Sequence, residues 1–290
     1  MKEIAPGIHV ESAFPPYNLV LIQTQESVVV VDIPPKPVDA MNWYEQILGL
    51  VDHIDFVVLT DASLERQIAA MLWDIPIIAS ETLYSALAVY DDERARRDLV
   101  QRFQEMYPEA EKFVDQLKPR RPMLAFTHRL QLHYRIPPLQ FETVDGAAPG
   151  SLWVTLSDLG LLIAGDTVCI DDIPPFSNIA DSSAWLATLA ALSRRQSVKN
   201  IVTGRGTPLV QRGEIERQRE FLRVMRRAAR KMARGSPQAG NLTETAQDLG
   251  QVFFNNRGQR AVKQIRQGLE NLILEIKKAQ VVITEAEPSS

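Results

Sequence analysis

The chain opens on short apolar runs separated by turn residues. Asn18 to Thr24 (NLVLIQT) and Val28 to Asp32 (VVVVD) are β-branched-rich and close together, which predicts two antiparallel strands. Pro34 and Pro35 stop the second. From Val38 to Leu50 the apolar residues Met41, Tyr44, Ile47 and Leu48 return at helical spacing. Phe56 to Thr60 (FVVLT) predicts a third strand and Ser63 to Trp73 a helix. Pro76 to Ser80 predicts a fourth strand and Glu81 to Tyr90 another helix. Residues 91–119 are highly charged with a sparse apolar stripe, which predicts a helical insert. Either it lies across the body, over the mouth of a pocket, or it is a solvated appendage.

From Met123 the pattern returns to β. MLAF, RLQLHY, LQFETV, SLWVTL and LLIAGD follow one another with short polar or Gly/Pro breaks, as in an antiparallel meander. Ala184 to Ser193 predicts a helix and Asn200 to Thr203 a last short strand. Beyond Pro208 everything reads as helix up to a polar tail, EAEPSS, for which order is not expected. Two sheet halves, each interleaved with helices, point to a layered α/β sandwich rather than a doubly wound sheet.

Composition narrows the setting. With 45% hydrophobic and 23% charged residues over 290 positions, the chain can bury a large core without staples. Cys169 is the single cysteine, so no intrachain disulfide can form, and a cytoplasmic setting is the simplest reading. Cys169 lies in an apolar run, where a buried inert thiol is expected. The N-terminal MKEIAPGIHVESAF lacks the apolar stretch of a signal peptide, and no segment is long and apolar enough for a membrane span. A net charge of −4 gives no overall reason to expect nucleic acid as a partner. The charge is uneven, however: nine basic and three acidic residues fall between Arg212 and Arg234, around a stripe of Phe221, Val224, Met225, Ala228 and Met232.

Five segments arrive in a suggestive order: VVVVDIPP, FVVLTDASLERQIAA, VDGAAPGSLWV, LLIAGDTVC and NIVTGRGTPL. Together they resemble the landmarks of the metallo-β-lactamase superfamily. In that family a strand ends in aspartate, a strand precedes T-H-x-H-x-D-H, a loop reads P-G-H-T-P-G-S, one strand ends in Gly-Asp and another in P-G-H-G. The resemblance covers Asn18 to Leu209. It implies a four-layer αββα sandwich over residues 1–210, with 91–119 inserted. Residues 211–280 form a C-terminal helical extension, packed on the sandwich or mediating dimerisation, and 281–290 a tail.

The resemblance also implies a site. In such proteins imidazoles and carboxylates hold one or two zinc-like ions about 3.5–4 Å apart, and a bound hydroxide attacks the substrate. Carried over by position, the first two histidines become Asp61 and Ser63, the aspartate becomes Glu65, and the next histidine becomes Arg66. The third landmark's histidine becomes Ala147, the bridging aspartate is kept as Asp166, and the last histidine becomes Arg205. His9, His53, His128 and His133 lie outside these positions. Arginine stays protonated and has no free lone pair for a metal. Either Arg66 and Arg205 stand in for the metal charge among Asp61, Glu65 and Asp166, or the loops have drifted and these side chains are exposed; the first is the expectation. The expectation is a metal-free, non-catalytic relative whose old pocket is filled by ion pairs or binds a small anion.

Two other readings stay open. Asp61, Glu65, Asp145 and Asp166 could form an oxygen cluster for a divalent ion such as Mg²⁺ or Mn²⁺, making the chain a hydrolase with an altered site. Ser63 would then be a nucleophile, or more simply the N-cap of the helix after it. Alternatively the basic C-terminal helices form an interaction module. Val262, Ile265, Leu269, Leu272 and Ile276 repeat at 3, 4, 3, 4, a seam that either docks on the domain or joins two subunits.

Overall fold

The structure is a computed structural model that describes residues 1–134, 137–177, 179, 181–235, 241–256 and 258–286. Seven strands cross the first sheet in chain order: β1 (Lys2–Ala5), β2 (Ile8–Glu11), β3 (Leu19–Gln23), β4 (Val28–Val31), β5 (Phe56–Val58), β6 (Ile77–Ser80) and β7 (Leu124–Phe126). β1 to β4 are antiparallel, with Leu21 opposite Val30. β4 to β7 are parallel, and parallel neighbours need a crossover. Helices supply it: α1 (Pro37–Leu48) before β5, α2 (Leu64–Ala69) before β6, and α3 (Glu81–Ala88) with α4 (Glu93–Met106) before β7.

The second sheet holds β8 (Arg129–Leu132), β9 (Leu139–Thr143), β10 (Leu152–Leu156) and β11 (Leu161–Ile163), joined by β13 (Asn200–Val202) and β15 (Leu209–Gln211). Its order is β15-β13-β11-β10-β9-β8. Only β11 and β13 run parallel there, and α5 (Ser182–Arg194) bridges them. β12 (Cys169–Ile170) and β14 (Arg205–Gly206) form a small separate ladder. Helices α6 (Ile215–Ala233), α7 (Leu242–Phe254) and α8 (Gln259–Ala286) follow.

Side-chain alternation along the strands builds the layers. Val29, Val31, Val58 and Ile78 point inward to meet Phe141, Leu152, Val154 and Ile163 from the second sheet. Their neighbours Leu21, Val30 and Val57 point outward, onto Trp43, Ile47, Leu83 and Phe103 of the first helix layer. On the far side Trp153, Leu162 and Ile201 meet Trp185, Leu189, Phe221, Met225 and Leu269. Helix, sheet, sheet, helix is the αββα order expected.

Several elements differ from expectation. Helix α1 buries Ala40, Trp43 and Ile47, while Met41 and Leu48 are exposed; the large indole at Trp43 sets the inward face one position away from the predicted stripe. MLAF is not part of the meander: β7 pairs in parallel with β6, and the chain changes sheets across Thr127 and His128. Apolar pattern reports burial, not which edge a strand joins. The run after Ser63 is helical only to Ala69, and β15 interrupts what reads as helix beyond Pro208. The insert is no lid: Leu99, Phe103, Ala110, Phe113 and Leu117 pack into the first helix layer. Helix α8 buries Ile265, Leu269 and Leu272 in the chain's own core, so the seam docks. α8 continues to Ala286, so the expected tail is helical up to there; 287–290 lie outside the described residues. No helix among the described residues is long and apolar enough to cross a membrane.

Candidate functional site

The carboxyl ends of β4, β5, β11 and β13 meet at one edge of the sandwich, and the loops leaving them carry the charged groups. Asp32 follows β4 in the left-handed backbone region (φ 64°), a conformation aspartate tolerates better than most residues. Its backbone N–H bonds Val58 across the sheet (2.8 Å), which fixes the carboxylate over β5. There it accepts from the Thr60 N–H (3.0 Å) and the Thr60 hydroxyl (2.7 Å).

Arg66, near the start of α2, completes that shell. Its Nε and Nη2 donate to the two Asp32 oxygens at 3.0 and 2.8 Å, a bidentate fork. The third nitrogen, Nη1, lies 3.7 Å from Asp166 Oδ2. The guanidinium stacks 3.6 Å above the Tyr17 ring and its side chain is 0% exposed. Arg205 makes a second fork, Nε and Nη2 donating to Asp166 at 3.0 and 2.8 Å, and its guanidinium carbon is 5.0 Å from the Tyr17 centroid. A Cβ on Gly204 would come within 2.3 Å of the Gly165 backbone, so only glycine lets the Asp166 and Arg205 loops approach this closely. Trp185 Nε1 and Gln218 Nε2 both donate to the Thr167 carbonyl, tying the Asp166 turn to the helices behind it.

Burial opposes charge at each of these groups, and the pairs decide the outcome. At Arg66 burial is outweighed by Asp32, Tyr17, Asp61 and Asp166, so the guanidinium holds its proton more firmly than usual. At Asp166 burial is outweighed by Arg205 and Arg66, which keep the carboxylate below its ordinary pKa. Asp61 goes the other way: burial dominates, Arg66 offsets it only partly, and its pKa is raised. Burial also pushes the Tyr17 phenol and the Cys169 thiol well up. Two cations thus face two fully paired carboxylates, with a third that resists ionisation. No net positive charge is left to attract an anion to the arginines.

The predicted residues divide accordingly. Arg66, Arg205, Asp61 and Asp166 come together. Glu65 does not join them: it is half-buried and makes no ion pair with either arginine among the described residues, because α2 turns it off the face that carries Arg66. Ala147 is buried in the second helix layer's core. Ser63 sits at the N-cap position of α2, but among the described residues its hydroxyl has no hydrogen-bond partner; Asp61 Oδ1 takes the Ser63 N–H instead (2.8 Å). Asp145 is exposed in another cleft, beside His128 and Ser151. Among the described residues no three His, Cys, Asp or Glu side chains converge as a metal would need, so the four-carboxylate cluster is not assembled. Two partners escaped sequence reading. Asp32 ends the first landmark, which was a usable signal; Tyr17 carries none.

A cleft of about 620 Å³ opens beside Arg205, walled by Tyr17, Asn18, Asp172, Arg260 and Gln264; Arg66 is sealed away from it. The architecture has clear counterparts among solved structures. A metallo-beta-lactamase family protein from Thermus thermophilus matches over 94% of this chain and 95% of its own, at 17% identity and TM-score 0.59. A beta-lactamase domain protein from Burkholderia ambifaria matches over 97% and 88%, at 17% identity and TM-score 0.64. The sec-alkylsulfatase Pisa1 from Pseudomonas sp. matches over 99% of this chain and 51% of its own, at 13% identity and TM-score 0.60. The chain has the metallo-β-lactamase fold. No family model and no curated protein matches its sequence. In this metallo-β-lactamase fold, the residues present do not fit the ions such a site implies. Arg66 and Arg205 stand at two of the ligand positions, Arg205 forks onto Asp166, the carboxylate kept at a third, and a guanidinium cannot ligate a cation.

Proposed function

We propose that the protein is a non-catalytic member of the metallo-β-lactamase fold, in which two arginine–carboxylate pairs take the place of metal ions and lock the two sheets together. The observation that carries this is Arg66, wholly buried, forked onto Asp32 of the first sheet and close to Asp166 of the second. Three carboxylates gathered without a cation would be costly in a buried site. Here that cation is covalently part of the chain, so no ion is required. The geometry favours a filled site over a reused one, because each arginine forks onto a carboxylate and Arg66 is sealed from solvent.

The reading separates fold from activity. The similar structures are named for β-lactam and alkyl-sulfate chemistry; this chain is proposed to carry out neither. Full-length protein is incubated with Zn²⁺ or Mn²⁺ and a chromogenic β-lactam, a thioester, a phosphodiester and a secondary alkyl sulfate. Turnover indistinguishable from buffer, with an unmoved melting temperature, supports the proposal. Ion-dependent turnover lost in Asp166→Asn overturns it.

A further inference from the structure

Helix α6 carries seven basic and two acidic residues and spends its apolar face internally. Phe221, Leu222, Met225 and Ala229 are buried against the second sheet's helix layer. The opposite face presents Arg223, Arg227, Arg230, Lys231 and Arg234 to solvent, with Arg226 half-buried at their base. These six cations, with Leu186 of α5, line an open cleft of about 460 Å³. Of the six, Arg223 pairs with Glu220, and nearer the start of α6 Arg217 pairs with Asp171 and Arg219 with Glu216. Among the described residues no acidic side chain forms an ion pair with Arg226, Arg227, Arg230, Lys231 or Arg234.

Like charges held this close are unfavourable unless something neutralises them. Arg226 shows the tension: burial, then the neighbouring Arg230, lower its pKa, and among the described residues its Nε has no hydrogen-bond partner. Asp181 and Glu275 stand on the flank, but Glu275 is engaged by the Ser182 N–H and hydroxyl. At 1.5 Å per residue the row from Arg223 to Arg234 spans roughly 16 Å. That length covers about four or five phosphates along a nucleic-acid strand.

We infer that the α5–α6 cleft binds the phosphate backbone of nucleic acid, without reading its sequence. Guanidinium forks suit phosphate oxygens. None of the described residues that line the cleft is aromatic, which argues against base stacking and for backbone contact. A lipid surface fits less well, because membrane-bound amphipathic helices need a free apolar face beside the cations, and α6 has buried its own. The overall charge of −4 pointed away from this partner; what matters is that the positive charge lies on one face.

The test is fluorescence anisotropy of a labelled 16-nucleotide mixed-sequence single strand with the full chain, from 50 to 200 mM NaCl. Binding is expected to weaken roughly 50- to 130-fold over that range, as four or five neutralised phosphates require at about 0.7 of a log unit each per tenfold change in salt. The cleft variant R227E/R230E/K231E should bind at least tenfold more weakly. R94E/R96E/R102E on the exposed face of α4 makes the same change in total charge and should stay within about threefold. Unchanged melting curves confirm that both variants fold. No binding at 50 mM salt overturns the inference, as does equal loss in both variants, which would mean bulk charge alone. Capture by vesicles containing 30% phosphatidylserine without oligonucleotide binding overturns it too.

Discussion

Replacing Arg66 by methionine removes the cation while keeping most of the buried volume. It strips Asp32 of two charge-assisted hydrogen bonds, at 3.0 and 2.8 Å, and leaves Asp32, Asp61 and Asp166 with Arg205 as the only cation forked within the cluster. Breaking a buried pair from one side typically costs about 3–5 kcal/mol, since the remaining charge is left uncompensated. Domains of this kind have about 5–15 kcal/mol in total. R66M should therefore melt roughly 6–20 °C below the parent. Urea denaturation followed by circular dichroism gives the free energy directly. The cycle with Asp32→Asn separates charge from packing: D32N/R66M should recover at least about 2 kcal/mol relative to the sum of the single variants. An R66M protein within about 1 kcal/mol of the parent, or single effects that simply add, would refute the account of Arg66 as an internal counter-ion.

Arg205→Met should cost less, about 2–3 kcal/mol by the same denaturation assay, because its side chain retains some solvent access. Asp61→Asn should stabilise the fold at pH 7, read as a higher urea midpoint. The folded-state pKa of Asp61 is raised, so ionisation costs stability as pH rises through the unfolded value of about 3.9, and the gain should vanish below it. Asp166 has the opposite sign: its pKa is lowered, its contribution is present above about pH 3.9 and is lost as pH falls through the folded value, so D166N should lose stability at pH 7 and little in strong acid. Ser63→Ala should change stability by no more than about 0.5 kcal/mol, since the hydroxyl caps nothing; a larger loss would show a bond that the structure lacks.

Much of this arrangement is legible in residue order. The run of four valines in β4 and the Gly-Asp and Gly-Arg turns after β11 and β13 place Asp32, Asp166 and Arg205 at strand ends. Substituting arginine where a ligand is expected already announces a cation that cannot bind a cation. Pairing is harder to see. Residue order sets Arg66 among Asp61, Glu65 and Asp166, yet its fork closes on Asp32, because α2 begins directly above β5 and Thr60 presents that carboxylate to it. Glu65, one residue away on the helix, points elsewhere. Tyr17 is invisible as a site residue, since stacking under a guanidinium depends on a loop path that no periodicity encodes. The same limit applies to β7, whose pattern announces a strand but not its sheet.

The central claim is that protein cations have replaced metal ions, and elemental mass spectrometry of the untagged protein tests it most directly. The protein is purified, dialysed against Zn²⁺ and Mn²⁺, desalted, and its metal content counted per chain. Metal content is expected to be near zero and unchanged when the Zn²⁺ or Mn²⁺ concentration is raised. One or two ions bound per chain and lost in D166N would contradict it, placing a metal where Arg66 and Arg205 stand.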